Sequence, residues 1–501
     1  MTLNSIRVQR FTRPSFVRAL AAASGGDAGR APEQVKYLAR YCAKLGARTV
    51  VQEHVYVDRH YMDEYAAYYS RMLTPPKHTV IRFHVFGSAF TARHLRTDLA
   101  DALSSPSVRV RVQKRLSQKY LGFVSVRPLA AVPVGRTVLQ KLRNGRGRHR
   151  EIWATANYSV HLANLQLNVN GLAFQQQDLA VGACATAALW SALSRVARRE
   201  AMRAPTPAEV SEAAAKHLIP EGRAQPAVSG LTISQLCEAV RASGFAPERM
   251  HALTYPEIFM IGLHTYLLSG IPVLLALRSG GEGHAVTAVG FQVGPRPHPV
   301  LQASIPVRSA YVTKLYVHDD RLGPYARAHV HPRPRTKTTR ECLILGIDWP
   351  DRRKEPWLVD SAIAPVYPKM RLSVRSLVTL AEMFCGVMEH VVGASGRNAL
   401  TVEFLYKRSG EYLAELSGRV PRPSLGSADF LQNIVLPRWC AVMRWYVAER
   451  PLCEFVFDTT DILRTGDHAR LPLLRALVCF QHQYAKNLAL VSSVFGARFL
   501  G

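Results

Sequence analysis

The chain has 501 residues, 48% of them apolar and 20% charged, which is ordinary soluble-protein composition and enough for a large core over roughly three domains of about 150 residues. Its net charge of +28 is scattered rather than gathered in one tail, so it reads first as a solvated basic surface and second as a face for an acidic partner such as nucleic acid or anionic lipid. Eight cysteines, none spaced Cys-x-x-Cys, argue against a zinc ribbon or a redox motif and suit a reducing, cytoplasmic compartment.

At the start of the chain Arg18 interrupts what would be the apolar region of a signal peptide, which argues against secretion by that route. No run reaches the roughly 18 uninterrupted apolar residues of a membrane span. The best candidate, 261–277, contains His264, Ser269, Gly270 and Pro272 and reads as a buried helix followed by a buried strand.

Residues 1–150 are predicted as a mixed α/β region, assigned to substrate or partner recognition. Val35, Leu38, Ala39, Cys42 and Leu45 mark one face of a helix over 32–45, stopped by Gly46. Strands are predicted at 49–57, 80–86 and 120–126, and a helix at 61–73. Val108, Val110 and Val112 alternate with Arg109 and Arg111, which predicts a strand with one basic face over 107–112. Residues 141–150 form a basic, glycine-containing loop, and a domain boundary is placed there.

Residues 151–335 change pattern. Short strands over 158–169 precede a helix that begins at Cys184. Thr206-Pro-Ala-Glu209 and Thr232-Ile-Ser-Gln235 are capping boxes that open two further helices, and another helix spans 257–268. Strands follow at 271–277, 284–291 and 312–319, the last two separated by a Pro-rich loop over 294–306. Helices first and an antiparallel sheet second is an α+β arrangement. The basic stretch 329–340 reads as a linker or surface arm. Residues 336–501 are predicted as an α-rich, largely helical C-terminal region. It has strands at 343–347 and 357–367 and helices at 435–448 and 471–491.

The chemistry centres on three pieces. Cys184 heads the small-residue run Ala-Thr-Ala-Ala-Leu-Trp, and a helix N-terminus with a nearby imidazolium favours a thiolate. Gly182 keeps its approach open. His284 opens an apolar strand after the glycine-rich turn 279–283. Asp319 ends the next strand, on the face of Leu315 and Val317 and opposite His318 and Asp320, where a carboxylate could orient the imidazole. Asp320 is the alternative acid. An oxyanion donor is needed as well; Gln177 is chosen and Gln176 is the alternative, in a run of three glutamines that starts at Gln175.

Gln, Cys at a helix start, Gly-His-Ala-Val-Thr-Ala-Val-Gly-Phe and Tyr-Val-His-Asp together resemble the papain-like cysteine peptidase superfamily. Within it the match is to the bacterial bacteriocin (double-glycine leader) processing peptidases and their soluble relatives. The resemblance covers about residues 165–330. It implies a catalytic domain with a helical half carrying Cys184 and an antiparallel sheet carrying His284 and Asp319. The chain departs from the family where Ala185 replaces a glycine, Gln177 lies one residue further from the cysteine than usual, and Asp320 replaces a proline. No Walker A pattern accompanies the motifs.

The expected activity is therefore a cysteine peptidase acting on a protein or peptide through a thioester, with a Cys184–His284–Asp319 triad and no cofactor or metal. Two alternatives stand. One is another acyl transferase or isopeptidase on the same scaffold. The other is a basic nucleic-acid-binding or scaffold protein without catalysis, motivated by the charge and by Arg109 and Arg111; nucleic-acid contact is expected to be weak. A metal cluster of His318, Asp319, Asp320, His329 and His331 lacks a helix-spaced ligand pair and is disfavoured.

Overall fold

The computed structural model describes residues 6–145, 149–178, 184–216, 230–253, 255–333, 342–347, 356–419, 430, 432–465 and 469–501. Three sheets follow one another in chain order. The first is built from β1 (Ile6–Arg10), β2 (Thr49–Tyr56), β3 (Val80–Phe86), β4 (Tyr120–Val126), β5 (Val134–Gln140), β6 (Ala156–Leu162) and β7 (Leu165–Phe174). Their order is β1-β2-β3-β4-β5-β7-β6, with every pairing antiparallel. Helices α1 (Arg13–Ser24), α2 (Glu33–Lys44), α3 (Arg59–Ala67), α4 (Ala92–Ser104) and α5 (Pro106–Gln118) interrupt it.

Residues 107–112 are helical, not extended. Pro106 takes the first turn of α5, where its fixed φ suits a helix and its missing N–H costs nothing. Val112 and Leu116, one helical turn apart, are buried, while Val110 is 62% exposed, so the valine alternation misled. The basic strand face of Arg109 and Arg111 does not form. Arg109 Nε donates to the Ala102 carbonyl, and Arg115 pairs with Asp98.

The second group holds α6 (Cys184–Arg199), α7 (Pro207–Ala215), α8 (Ile233–Ala242) and α9 (Pro256–Leu268). Its strands are β8 (Ala246–His251), β9 (Val273–Ser279), β10 (Glu282–Val293), β11 (Val312–Asp319), β12 (Gly323–Arg333), β13 (Cys342–Ile347) and β14 (Pro356–Val366). Both capping boxes form, at Thr206 with Glu209 and at Thr232 with Gln235. The strand order is β13-β12-β11-β10-β9-β14-β8, and β13 also pairs with β14. The strands β9 to β14 therefore close into a ring, which removes their free edges. The residues 329–333, expected in a linker, are part of β12.

The third group holds α10 (Val374–Arg397), β15 (Leu400–Arg408), α11 (Ser409–Arg419), β16 (Trp439–Val447), β17 (Arg450–Thr465), β18 (Ala469–Cys479), α12 (Ala485–Val494) and β19 (Arg498–Leu500). It is not largely helical, because β15 to β19 form a sheet. The predicted helix 435–448 falls mostly on β16, and the predicted helix 471–491 is divided between β18, which takes 471–479, and α12, which takes 485–491. Strand β16 is buried on both faces, so its apolar run shows no alternation and cannot be told from a buried helix by periodicity. One described helix, residues 374–394 of α10, is long and apolar enough to cross a membrane by length and composition; 44% of that window is buried. Its Phe384 packs against Phe455, Phe457 and Phe495.

The fold is mixed α+β. Strand pairing divides it differently from the expected limits at 150 and 335. β6 and β7 belong to the first sheet, and β13 and β14 to the second. One continuous buried cluster runs from Val51 through Trp190, Leu274 and Leu315 to Leu488, so the three regions share a core.

Candidate active site

Cys184 is the first described residue of α6; Gly182 and the rest of 179–183 lie outside the described residues. The helix is almost wholly buried from Ala185 to Ala197, and its small side chains let it lie close to the sheets. Side-chain bonds fix its position. Thr287 Oγ1 on β10 donates to the Ala188 carbonyl at 2.6 Å. Ser191 Oγ donates to the Ala173 carbonyl at 2.6 Å and meets His318 Nδ1 at 3.2 Å.

His284 lies on β10, where it pairs with Leu277 of β9. Its Nε2 is 3.0 Å from Asp319 Oδ1 and 3.9 Å from Asp320 Oδ1. It also shares a hydrogen bond with Cys184. Nε2 is the ring nitrogen that faces the carboxylates. Burial by itself would depress the imidazole pKa. The Asp319 carboxylate, the bond to Cys184 and the charge of Asp320 outweigh it and raise the pKa to about 10. The ring is therefore held as an imidazolium at neutral pH.

Asp319 closes β11, where the register shifts after Val317 and Asp319 pairs with Gly323 across a tight turn. Its Oδ1 also accepts from the Arg321 backbone N–H at 3.0 Å. Asp320 was expected on the opposite face from Asp319. It sits in the turn rather than the strand, which brings its carboxyl back toward the imidazole. Burial is the first cause that raises the Asp320 pKa, and the neighbouring Asp319 charge adds to it. Its carboxylate oxygens make no hydrogen bond among the described residues.

The three glutamines differ in their surroundings. Gln175 Nε2 donates to Glu64, and Gln176 Oε1 accepts from the Val134 backbone N–H at 3.2 Å. Gln177 is half-buried and makes no hydrogen bond among the described residues.

Sequence reasoning missed Trp357. Its fully buried ring lies 5.6 Å from that of His284, and Arg321 stands over its outer side at 5.7 Å. The indole is part of the buried packing around His284, and a hydrogen bond out of water, as His284–Asp319 is, is electrostatically stronger than an exposed one. Only an apolar β14 strand announced it in the sequence. The metal cluster around His318 does not assemble: His318 turns to Ser191 and Tyr325, and burial lowers its pKa to about 3, while His329 and His331 stack on each other. Among the described residues the group close enough to share a cation is His284, Asp319 and Asp320, whose candidate ligand atoms lie within 4.8 Å of one another.

A half-buried thiol, an imidazolium hydrogen-bonded to it and a buried carboxylate behind the imidazolium can together perform nucleophilic acyl transfer. In comparisons with known proteins, no family model and no curated protein matches the chain.

Proposed function

We propose that this chain is a cysteine peptidase with a papain-like catalytic unit, formed by α6 to α9 and the ring of strands β9 to β14. The observation that carries the reading is His284 held between Cys184 and Asp319. In this mechanism the Cys184 thiolate attacks the carbonyl carbon of a peptide bond. His284 gives its proton to the departing amine, and a thioester remains. Water then yields a proton to His284 and hydroxide to the acyl carbon, which releases the acid and restores the thiolate. Asp319 keeps the ring in place through both steps. The substrate is a protein or peptide, and the free cysteines suit a reducing, cytoplasmic setting.

The test is an electrophilic thiol probe combined with peptide hydrolysis. Cys184 should label ahead of the other seven cysteines, labelling should drop in His284→Ala, and hydrolysis should vanish in Cys184→Ala. A chelator should leave the rate unchanged; loss of activity on chelation would favour a cation at His284, Asp319 and Asp320 instead. Equal labelling of all eight cysteines would remove the thiol-nucleophile reading.

A further inference from the structure

We propose that the cavity between β8, α9 and the start of α10 is a binding site for an organic cation, an ammonium or guanidinium group on a short aliphatic chain, with Glu248 as its counter-ion and aromatic rings as its walls. The inference goes beyond the peptidase reading and does not depend on it. β8 is the end strand of the second sheet, and β9 and β14 stand between it and the strand of His284.

The cavity has a volume of about 260 Å³. Pockets for drug-sized ligands run from about 300 to 1,000 Å³, so this one suits a single small cation or one long side chain. Tyr255, Phe259 and Tyr266 recur at helical spacing along one side of α9 and line it. Tyr255 is 52% exposed and stands at the mouth, whereas Phe259 and Tyr266 are buried. Gly262 keeps that wall low, since a Cβ there would lie 2.6 Å from Met250 Sδ. Ring faces carry negative charge density and attract a cation, most strongly where water is excluded.

Glu248 supplies the full charge. It is half-buried and makes no hydrogen bond or ion pair among the described residues. Its charge bears on the Tyr266 and Tyr406 hydroxyls, but those bond each other, and Tyr406 donates to the Leu372 carbonyl at 2.7 Å. Burial raises the Glu248 pKa, and no neighbouring cation offsets it. The arginines of the rim are directed elsewhere. Strand alternation puts Arg249 and His251 on the opposite face from Glu248 and Met250, and the Arg249 charge acts on Cys237 of α8. Arg375, in the first turn of α10, lies over the Tyr255 ring at 6.0 Å. The protein thus leaves a partly desolvated carboxylate without a cation of its own, a cost that an incoming cation removes.

The experiment titrates the full chain by calorimetry with N-butylguanidinium and with its neutral counterpart N-butylurea, and repeats both in Glu248→Gln and Tyr255→Leu. The guanidinium should bind and the urea should not. Glu248→Gln should weaken guanidinium binding at least about tenfold. It should do so without lowering Tm, because it removes an unpaired carboxylate from a half-buried place. Tyr255→Leu, at the exposed mouth, should weaken binding about threefold. The source of the cation is read with a capped Ala-Arg-Ala peptide and its citrulline form, on the Cys184→Ala background so that no peptide is consumed. Binding of the arginine form but not the citrulline form, lost in Glu248→Gln, would assign the site to a basic side chain; binding of the free guanidinium without the peptide would assign it to a small free cation. No binding of the guanidinium, equal binding of guanidinium and urea, or binding indifferent to Glu248→Gln would overturn the proposal. A marked fall in Tm in Glu248→Gln would overturn it as well, by showing that the carboxylate already serves the fold. None of these results touches the labelling of Cys184, which tests the catalytic reading separately.

Discussion

Nε2 of His284 stands 3.0 Å from Oδ1 of Asp319, and neither side chain has exposed surface. A charged ring and a carboxylate out of water attract strongly, and each compensates the other's lost hydration. The pair therefore governs how the protein responds to pH.

Stability should fall across the alkaline range because of this pair. A histidine in the unfolded chain releases its proton near 6.5, whereas His284 in the folded chain holds it to about 10. Between those values the folded state binds more protons than the unfolded state. The stabilisation is complete below about 6.5 and is lost as pH rises toward 10. Scanning Tm from pH 6 to 10 should show a steeper decline in the wild type than in His284→Ala. Parallel declines would mean that His284 does not hold the extra proton.

The two aspartates should be unequal. Asp319 bonds the imidazole directly, while Asp320 stands 3.9 Å away and acts through charge alone. Asp319→Ala should reduce kcat/KM for peptide hydrolysis by at least about tenfold, as removal of an orienting acid does in related triads. Asp320→Asn should cost much less at pH 7 but should shift the alkaline limit of activity downward, because one of the charges that raise the His284 pKa is gone. A pH–rate profile of both variants checks this; equal losses with unshifted limits would contradict it.

Gly323 should resist even alanine. A Cβ there would lie 2.2 Å from Tyr37 Cδ1. Tyr37 is no loose neighbour, since its hydroxyl donates to the Pro324 carbonyl at 2.9 Å, and Gln34 of the same helix donates to the Asp320 carbonyl at 3.1 Å. Gly323→Ala must push α2 away from the turn that carries both aspartates, at about 1–3 kcal/mol for overpacking. Thermal melts should register the loss, and hydrolysis should fall more than in a surface control such as Gly410→Ala, where a Cβ meets nothing within 4 Å and the backbone is not left-handed. Unchanged melting and activity would show that Tyr37 does not support the turn.

The local signals that sequence carries are those whose physics is local. Thr206 with Glu209 and Thr232 with Gln235 fixed two helix starts, because a cap is satisfied within one turn of chain. β4 and β11 occupy the residues predicted for them, or nearly so, because each is bounded by turn residues. Cys184, His284 and Asp319 could be named because their types and the elements bearing them are legible in order along the chain. Where burial is two-sided, the pattern fell silent, and β16 reads like a helix; in α5 a chance alternation of valine and arginine imitates a strand, although only Val112 and Leu116 are buried and Val110 faces water. Tertiary structure alone decided which side of His284 faces an acid, that Asp320 turns back toward the ring, and that Trp357 covers it. It also separated the three glutamines, since Glu64 and Val134, which engage the first two, lie far away in sequence. Those outcomes depend on pairing between distant strands and on the layer that holds Glu64, and no short-range rule encodes either.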